Sequence, residues 1–231
     1  MNIPSTVLSL SKNTLGHDYV VGDIHGNVSR LFDQLEELGF DRAVDRLICT
    51  GDLVDRGPES AKAIELLSED WFFSVLGNHE HLMLSGLKHG NSKNKMTWLK
   101  NGGEWIATSN PADWPRWFEL LSALPIAIEV ELASGGKAGI IHADFPGYDW
   151  QQIKDFDQYQ LEMCLWSRSQ FKQGCEDVVS GIEAIYHGHT INGTMNGSAG
   201  NKERSKAVQL GNRFYIDPGV YLGAKFVIVQ L

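Results

Sequence analysis

The first third of the chain repeats one pattern, in which a short apolar run ends in a polar turn and a segment with helical spacing follows. The apolar runs are residues 19–22, 47–49 and 71–76. A helix is predicted over residues 28–38, and a second helix after Pro58, because apolar residues recur there every three or four positions. This order predicts a β-α-β-α-β unit of parallel strands joined by right-handed crossovers.

The middle of the chain, residues 95–124, is predicted to be helical and is rich in tryptophan. The tryptophans are Trp98, Trp105, Trp114 and Trp117. A tryptophan cluster can grip a substrate, but packing within a helical subregion is the favoured interpretation, since tryptophan mostly buries apolar area.

The second half of the chain has the pattern of strands. Residues 126–132 and 138–142 flank a Gly-Gly pair, and residues 208–210 and 213–216 flank a Gly-Asn pair, so two hairpins are predicted. Further strands are predicted at 183–186 and 225–231, and an exposed loop at 192–204. Together these patterns predict an α/β fold with a parallel β-α-β-α-β N-terminal half and a strand-rich C-terminal half.

Composition places the chain among ordinary globular proteins. With 231 residues, 42% of them hydrophobic and 21% charged, a single domain over residues 1–231 is expected. A net charge of −9 without a Lys/Arg-rich run argues against nucleic acid as a partner. It does not exclude anionic substrates, because bound divalent cations can invert the local field.

The cysteines and the N-terminus bear on the compartment. The three cysteines form no CxxC pair, so a disulfide scaffold is not expected and a reducing cytoplasm fits better. The first 17 residues lack a basic segment followed by an apolar run, so no signal peptide is expected. No apolar stretch approaches the ~20 residues of a membrane helix, so no membrane partner is expected. The oligomeric state stays open, and a monomer is compatible with the sequence.

Polar residues are concentrated where the predicted strands end. Five strand ends carry dense polar sets: Gly22-Asp23-Ile24-His25-Gly26, Gly51-Asp52-Leu53-Val54-Asp55-Arg56-Gly57, Gly77-Asn78-His79-Glu80, His142-Ala143-Asp144 and His187-Gly188-His189-Thr190. Parallel strands lie about 4.8 Å apart and open sheets bind ligands at their carboxyl ends, so these sets are expected to converge on one site. Asp23 and His25 point to the same side if the backbone stays extended. Asp and His side chains suit Mn, Fe or Zn.

Each polar residue also has a simpler explanation. Asp23 or Asp52 alone is often a helix N-cap or a turn former. A single buried histidine such as His142 is more often a hydrogen-bonded core residue, Asn78 a turn residue, and Arg56 a surface ion-pair partner. Five polar strand ends with Asp, His and Asn in compatible roles are hard to explain as separate turns, so the set predicts a metal site.

The motifs GDIHG, GDLVDRG and GNHE, in this order, resemble the signature of the PPP-type metallophosphoesterases. The later IHAD and GHT pieces match the same family, and the resemblance to its lambda-phage-type and bacterial serine/threonine protein phosphatases extends over nearly the whole chain. It implies a metallophosphoesterase-type β-sandwich with flanking helices. Supporting pieces are Asn101-Gly102-Gly103, Leu124-Pro125, Leu165-Trp166-Ser167-Arg168 and Ile216-Asp217.

The resemblance also implies a ligand set for two divalent metal ions per chain, with Mn²⁺ expected and Fe or Zn as alternatives. Asp23 and His25 would bind the first ion, and Asp52 would bridge both ions. Asn78, His142 and His189 would complete the ligand set of the second ion. His189 stands in the Gly-His-Thr piece of the family, whereas packing is the favoured interpretation for His187.

The catalytic roles are implied in the same way. Arg56 and Arg168 would hold the phosphate oxygens, for which the planar guanidinium is suited. His79, paired with Asp55, would be the general acid that protonates the leaving alkoxide. The nucleophile would be a hydroxide bound to the two metals, so no covalent enzyme intermediate is needed.

The leading functional hypothesis is hydrolysis of phosphoserine and phosphothreonine in proteins, with phosphotyrosine and small phosphomonoesters as further candidate substrates. An alternative is diadenosine polyphosphate hydrolysis, which a related branch of the superfamily carries out; that branch more typically has Gln where His25 stands. A remote alternative is a non-catalytic phosphopeptide-binding module. The preserved metal ligands and acid pair disfavour it.

Overall fold

The structure of the protein, a computed structural model, describes residues 2–192 and 206–231. Its strands are β1 (Val7–Leu10), β2 (Asp18–Val21), β3 (Arg46–Cys49), β4 (Phe72–Ser74), β5 (Ala127–Glu131), β6 (Lys137–Ile141), β7 (Ala184–His187), β8 (Val208–Leu210), β9 (Arg213–Tyr215) and β10 (Ile228–Gln230). Its α-helices are α1 (Val28–Leu38), α2 (Ser60–Glu65), α3 (Asn78–Met83), α4 (Ser92–Lys100), α5 (Trp114–Ser122), α6 (Gln158–Trp166) and α7 (Ser169–Gln173). Short 3₁₀ segments lie at Leu66–Ser68, Gly103–Thr108, Pro111–Asp113, Trp150–Asp155 and Val220–Leu222, and a π segment at Leu84–Lys88.

The strands form two sheets, and the four-stranded sheet contains the predicted parallel unit. Its order is β10-β2-β3-β4, in which β2, β3 and β4 run parallel and β10 pairs antiparallel with β2. The six-stranded sheet has the order β1-β5-β6-β7-β9-β8. Both predicted hairpins, β5–β6 and β8–β9, are antiparallel pairs in this sheet.

The two sheets pack face to face, as the sandwich implied by the resemblance requires. Val20 of β2 and Ile48 of β3 lie in one buried cluster with Ile128 of β5 and Ile140 of β6. Because successive side chains of a strand point to opposite faces, the neighbouring residue Val21 belongs to another cluster, which includes α1. Each sheet therefore has an inner face against the other sheet and an outer face against other elements, and the fold is mixed α/β as predicted.

Helix α1 has the bounds that its apolar spacing predicts. Leu31 and Leu35 are buried in the cluster that contains the outer face of β2 and β3, and burying a leucine stabilises the fold by about 1.5–3 kcal/mol. The helix ends at Gly39, which has a left-handed φ of 77° and donates its N–H to the carbonyl oxygen of Glu36. The helix therefore connects β2 to β3 and packs against the outer face of both strands.

The tryptophan-rich middle of the chain is mainly a packing element. Trp98 and Trp117 are buried, and Trp105 lies between them with ring centroids 6.3 and 5.6 Å away. The packing interpretation is confirmed for Trp98 and Trp117, whereas Trp105 also reaches the candidate site described below.

Four of the strands and α-helices were not predicted from the sequence, and one of them is α3, which follows the third apolar run and is buried along its whole length. Strand β1 is a short edge strand with two exposed residues, so it shows no alternation. Helix α6 has apolar residues on several sides, including the exposed Trp166, and α7 has only five residues. Residues 193–204 of the predicted exposed loop lie outside the described residues.

Among the described parts of the chain, no helix combines the length and apolar character that a membrane crossing requires. The three cysteines are free, with Cys49 and Cys164 buried and Cys175 half-buried.

Candidate metal centre

The polar loops at the strand ends are tied directly to one another. The backbone N–H of His25, after β2, donates to the carbonyl oxygen of Asp52, after β3, at 2.8 Å. On the six-stranded side, the N–H of Gly188 donates to the carbonyl oxygen of His142 at 2.9 Å. Apart from the exposed Arg56, the side chains of these polar sets are buried or half-buried, so the strand ends form one polar cluster.

The first group of potential ligand atoms combines His25, Asp52 and His79, whose donor atoms all lie within 4.8 Å of one another. The Nε2 atoms of His25 and His79 are 3.7 and 3.8 Å from Oδ2 of Asp52. His79 therefore lies beside the same carboxylate oxygen as His25, although the sequence assigns it the role of an acid and not of a ligand.

The second group combines Asp52, His142 and His189, again with donor atoms within 4.8 Å of one another. Nε2 of His142 is 3.5 Å from Oδ1 of Asp52 and 3.0 Å from Oδ1 of Asn78. Asp52 thus presents one carboxylate oxygen to each group, as a bridging ligand would.

His25 and His142, one from each group, have the tautomer and charge that a cation requires. Nδ1 of His25 donates to the carbonyl oxygen of Val54 at 2.9 Å, and Nδ1 of His142 donates to that of Thr50 at 2.8 Å. These bonds leave the Nε2 lone pairs facing the cluster. Burial lowers the pKa of His25 to about 3 and also lowers the pKa of His142, so both rings are neutral at pH 7. The donor set therefore fits two divalent cations.

Asp23 lies next to these groups but belongs to neither. Both of its carboxylate oxygens accept the backbone N–H of His189, at 3.1 and 3.0 Å, and Oδ1 also accepts the Thr50 hydroxyl at 3.1 Å. The extended backbone that would point Asp23 and His25 to the same side is not present, because His25 has a φ of 44°. The turn directs His25 to Asp52, while Asp23 links the β2 end to the β7 end.

The predicted acid pair is in direct contact. Nδ1 of His79 donates to Oδ2 of Asp55 at 2.6 Å, and both side chains are buried. Burial alone would lower the pKa of His79, but the carboxylates of Asp52 and Asp55 outweigh it and raise that pKa. Nε1 of Trp105 donates to Oδ1, the other oxygen of Asp55, at 2.7 Å.

Arg56 extends its guanidinium into the cluster. Nη1 donates to Nε2 of His25 at 2.6 Å, and Nη2 donates to Nε2 of His79 at 3.0 Å. The guanidinium carbon lies 4.4 Å from the ring centroid of Tyr221, a residue that sequence analysis did not single out. A Cβ on Gly102 would lie 2.7 Å from the backbone N of Arg56, which explains the glycine in this supporting motif.

Arg168 lies beside the second ligand group, next to His189. Its Nη2 donates to the carbonyl oxygen of His189 at 3.3 Å. Nε2 of His189 faces the carbonyl oxygen of Trp166 at 3.1 Å, so the segment that carries Arg168 contacts His189 twice.

Backbone strain is concentrated at the site. Within the described residues, the non-glycine residues with positive φ are His25, Asp52, Asp55, Arg56 and His189. Each such residue costs about 1–3 kcal/mol and persists only where the surrounding structure holds it in place. Such residues cluster at functional sites. All of them come from the strand-end motifs.

Glu80 holds the strained loop after β3. Its Oε2 accepts the N–H groups of Asp52 and Gly77, both at 3.0 Å, and its Oε1 accepts those of Leu53 and Val54 at 2.9 and 3.1 Å. The carboxylate is fully buried. Glu80 stands in one of the polar sets, but its role could not be predicted, since nothing in a sequence shows which backbone groups a side chain will meet.

His187 belongs to neither group of potential ligand atoms within the described residues. Its Nδ1 faces the carbonyl oxygen of Ala143 at 2.5 Å, and its ring stacks on Tyr215 at 4.8 Å between centroids. These contacts agree with the packing interpretation.

The sequence model of the calcineurin-like phosphoesterase family matches residues 19–214, so the chain belongs to this family. It is therefore a phosphoesterase, and the resemblance to the PPP-type enzymes is confirmed. The chain is 34% identical over 220 residues to serine/threonine-protein phosphatase 1 of Salmonella typhimurium, an alignment that includes 93% of this chain and 92% of that protein.

Two further similarities involve a different activity. Over 68 residues, 28% of this chain and 25% of that protein, the chain is 46% identical to the symmetrical bis(5'-nucleosyl)-tetraphosphatase of Thioalkalivibrio sulfidiphilus. A solved structure of a candidate diadenosine tetraphosphatase superposes with a TM-score of 0.65, over 97% of this chain and 96% of that chain, at 24% identity. This likeness shows the fold alone.

Proposed function

We propose that the protein hydrolyses phosphoserine and phosphothreonine in proteins, with phosphotyrosine and small phosphomonoesters as further substrates. The observation that carries this proposal is the pair of ligand groups that share Asp52, with the His79–Asp55 acid pair beside them. The long alignment with a bacterial serine/threonine-protein phosphatase supports the substrate class.

The proposed ligands of the first ion are Asp23, His25 and Asp52, and Asp52, Asn78, His142 and His189 would hold the second. Two divalent ions supply an activated water and stabilise the negative charge of the transferring phosphoryl group. Carboxylate, amide and imidazole donors suit Mn²⁺, with Fe and Zn as alternatives. The hydrogen bond from Arg56 uses the Nε2 lone pair of His25 that a cation would need, so a cation held there would release Arg56 to bind the phosphate.

His79 is proposed to protonate the leaving oxygen from Nε2. Its Nδ1 proton is held by Asp55, which orients the ring and favours the imidazolium. The alkoxide of a serine is a poor leaving group, so a positioned acid contributes about 10²–10⁴-fold to the rate. Arg56, beside the first ligand group, and Arg168, beside the second, would bind the phosphate oxygens.

The test is phosphate release by EDTA-treated protein from a phosphoserine peptide and from p-nitrophenyl phosphate, with and without Mn²⁺, Fe²⁺ or Zn²⁺. Turnover that requires added metal and that is absent in Asp52→Asn is expected. A folded protein without turnover under any of these metals would contradict the proposal. Binding of the phosphopeptide without phosphate release would instead favour the phosphopeptide-binding module.

The second candidate function is hydrolysis of diadenosine polyphosphates, which the local 46% identity to a tetraphosphatase favours. Equal concentrations of a phosphoserine peptide and of diadenosine tetraphosphate separate the two functions in one assay. A strong preference for the dinucleotide, measured as kcat/KM, would contradict the protein phosphatase proposal.

The proposed setting is the cytoplasm, which the three free cysteines support. The proposed partner is a phosphorylated protein, with neither nucleic acid nor membrane involved, and a monomer is the proposed state.

A further inference from the structure

Arg168 lies on a short connection between α6, which ends at Trp166, and α7, which begins at Ser169. Its guanidinium hydrogen bond to the carbonyl oxygen of His189 is long, at 3.3 Å. One long bond fixes a flexible side chain weakly. The position of Arg168 in the site is therefore set mainly by how its backbone segment is held.

Asp144 holds this segment from one direction. It is 1% exposed, and its Oδ2 accepts the Ser167 hydroxyl at 2.5 Å and the backbone N–H of Gln170 at 3.0 Å. These partners lie immediately before Arg168 and two residues after it. A buried carboxylate forms strong hydrogen bonds to such donors, and removing it leaves them unpaired.

Gln170 holds the same segment through its own side chain. Its Oε1 accepts the backbone N–H of Phe145 at 3.1 Å, and its Nε2 donates to the carbonyl oxygen of Phe145 at 2.7 Å. This two-point contact fixes the side-chain amide in one orientation. Together, Asp144 and Gln170 connect residues 167–170 to residues 144–145.

Residues 144–145 lie two and three positions after His142, which belongs to the second ligand group. The backbone N–H of Ala143 also donates to the carbonyl oxygen of Cys164 in α6 at 2.8 Å. The segment that carries Arg168 is thus attached to the end of β6 at several points, so the distance between Arg168 and the metal ligands follows from these contacts.

We infer that Asp144 and Gln170 are positioning residues that fix Arg168 relative to His142, so that the arginine meets a phosphate oxygen at the metal centre. The inference rests on the proposed phosphate-binding role of Arg168. A general folding role of Asp144 and Gln170 is the competing explanation. The two explanations predict different results when the guanidinium of residue 168 is absent. The effect of a folding role would persist there, whereas the effect of a positioning role would be lost.

The experiment is a double-mutant cycle on metal-loaded protein, with tungstate binding measured by calorimetry and KM and kcat measured on p-nitrophenyl phosphate. The single variants are Arg168→Ala, Asp144→Ala and Gln170→Met, and each of the last two is combined with Arg168→Ala. We expect each single variant to weaken tungstate binding about tenfold or more, the range expected from a hydrogen bond to a charged group. In the Arg168→Ala background, the second substitution should change tungstate binding less than twofold.

Asp144→Asn is the conservative variant, because its amide oxygen can accept both bonds that Oδ2 now accepts. Tungstate binding should be largely retained in it. Asp157→Ala is the matched control: Asp157 accepts the N–H of Gln160 at the other end of α6, so its loss weakens the helix far from Arg168. It should leave tungstate binding unchanged.

The outcomes separate the inference from its premise. If Arg168→Ala leaves tungstate binding unchanged, the proposed role of Arg168 fails. If Arg168→Ala weakens binding but the losses from Asp144→Ala and Gln170→Met persist in full in its background, the positioning role is overturned and a folding role remains. Should Asp144→Ala fail to fold, Ser167→Ala removes one of the two bonds to Asp144, and the Gln170→Met cycle decides the outcome by itself.

Discussion

The two sheets contribute to the site in different ways. The four-stranded side, defined as the site residues in the loops after β2, β3 and β4, contains four of the non-glycine residues with positive φ: His25, Asp52, Asp55 and Arg56. The six-stranded side, defined as His142, His189 and Arg168, contains only His189 of that set. The four-stranded side therefore depends on strained loops, whereas the six-stranded side presents its ligands from strand ends.

The two sides are also held differently. The carboxylate of Glu80 binds four backbone N–H groups on the four-stranded side. On the six-stranded side, the parallel pairing of β6 with β7 aligns Ile141 with His187 and so brings the loops that follow them together. The four-stranded side is therefore specified by a few buried polar side chains, and the six-stranded side mainly by sheet register.

The most severe test of this comparison is Asp52→Asn, because Asp52 belongs to both ligand groups. Turnover should fall by at least about 10³-fold, since bound metal ions contribute several kcal/mol to transition-state stabilisation. Metal content, measured by mass spectrometry after dialysis, should fall for both ions. The exposed Asp70→Asn serves as the control. Retention of two tightly held ions would contradict the shared role of Asp52.

His79→Asn separates acid from ligand within the four-stranded side. Turnover on a phosphoserine peptide should fall about 10²–10⁴-fold, the contribution of a positioned general acid. Metal content should stay near normal, as it should in the exposed control His89→Asn. Loss of metal would show that His79, which lies as close to Asp52 as His25 does, is a ligand and not the acid.

Glu80→Gln tests whether the strained loop depends on one carboxylate. The amide keeps one acceptor oxygen, so two backbone N–H groups lose their acceptor, and the free energy of unfolding should fall by about 2–4 kcal/mol. Urea denaturation of the metal-free protein measures it. Glu59→Gln is a matched control, because Glu59 accepts hydrogen bonds near the surface from Ser29 and Lys62. Equal losses in the two variants would show that Glu80 has no special part in the loop.

The smallest expected effect belongs to Trp105→Phe, which removes only the indole N–H that holds Asp55. Turnover should fall about tenfold, because a hydrogen bond to an ionised group contributes about 1.5–3 kcal/mol. Trp114→Phe removes a comparable bond to the Ser109 hydroxyl away from the site, so its turnover should stay unchanged. If both variants lose the same turnover, the effect arises from packing of the tryptophan region.

The comparison also explains what the sequence could predict. The four-stranded side was recognisable because its loops are short and its residues are close in sequence, so that GDIHG, GDLVDRG and GNHE appear as compact motifs. Strands β2, β3 and β4 and helix α1 were predicted because their apolar spacing matches their burial.

The remaining features depend on contacts between distant parts of the chain. Trp105 reaches Asp55 across 50 positions, and Gln170 reaches Phe145 across 25. No local pattern encodes these contacts, so Trp105 was assigned to packing alone and Gln170 was not identified. Helix α6 was missed for a related reason, since its burial is determined by the surrounding elements and not by an apolar stripe.

The pairing of β10 with β2 has a consequence for how the enzyme is made. Val21, two residues before Asp23, aligns with Ile228, so the strand that leads into the first motif completes its pairing only after residue 228 has been synthesised. Ribosomes add about 5–20 residues per second, and a domain folds as a unit once its contacts are available. The nascent chain therefore carries its acidic and histidine-rich loops for many seconds before the strand that leads into them is fully paired. Activity during synthesis should therefore appear in one step, and only after residue 228 is available to pair with Val21.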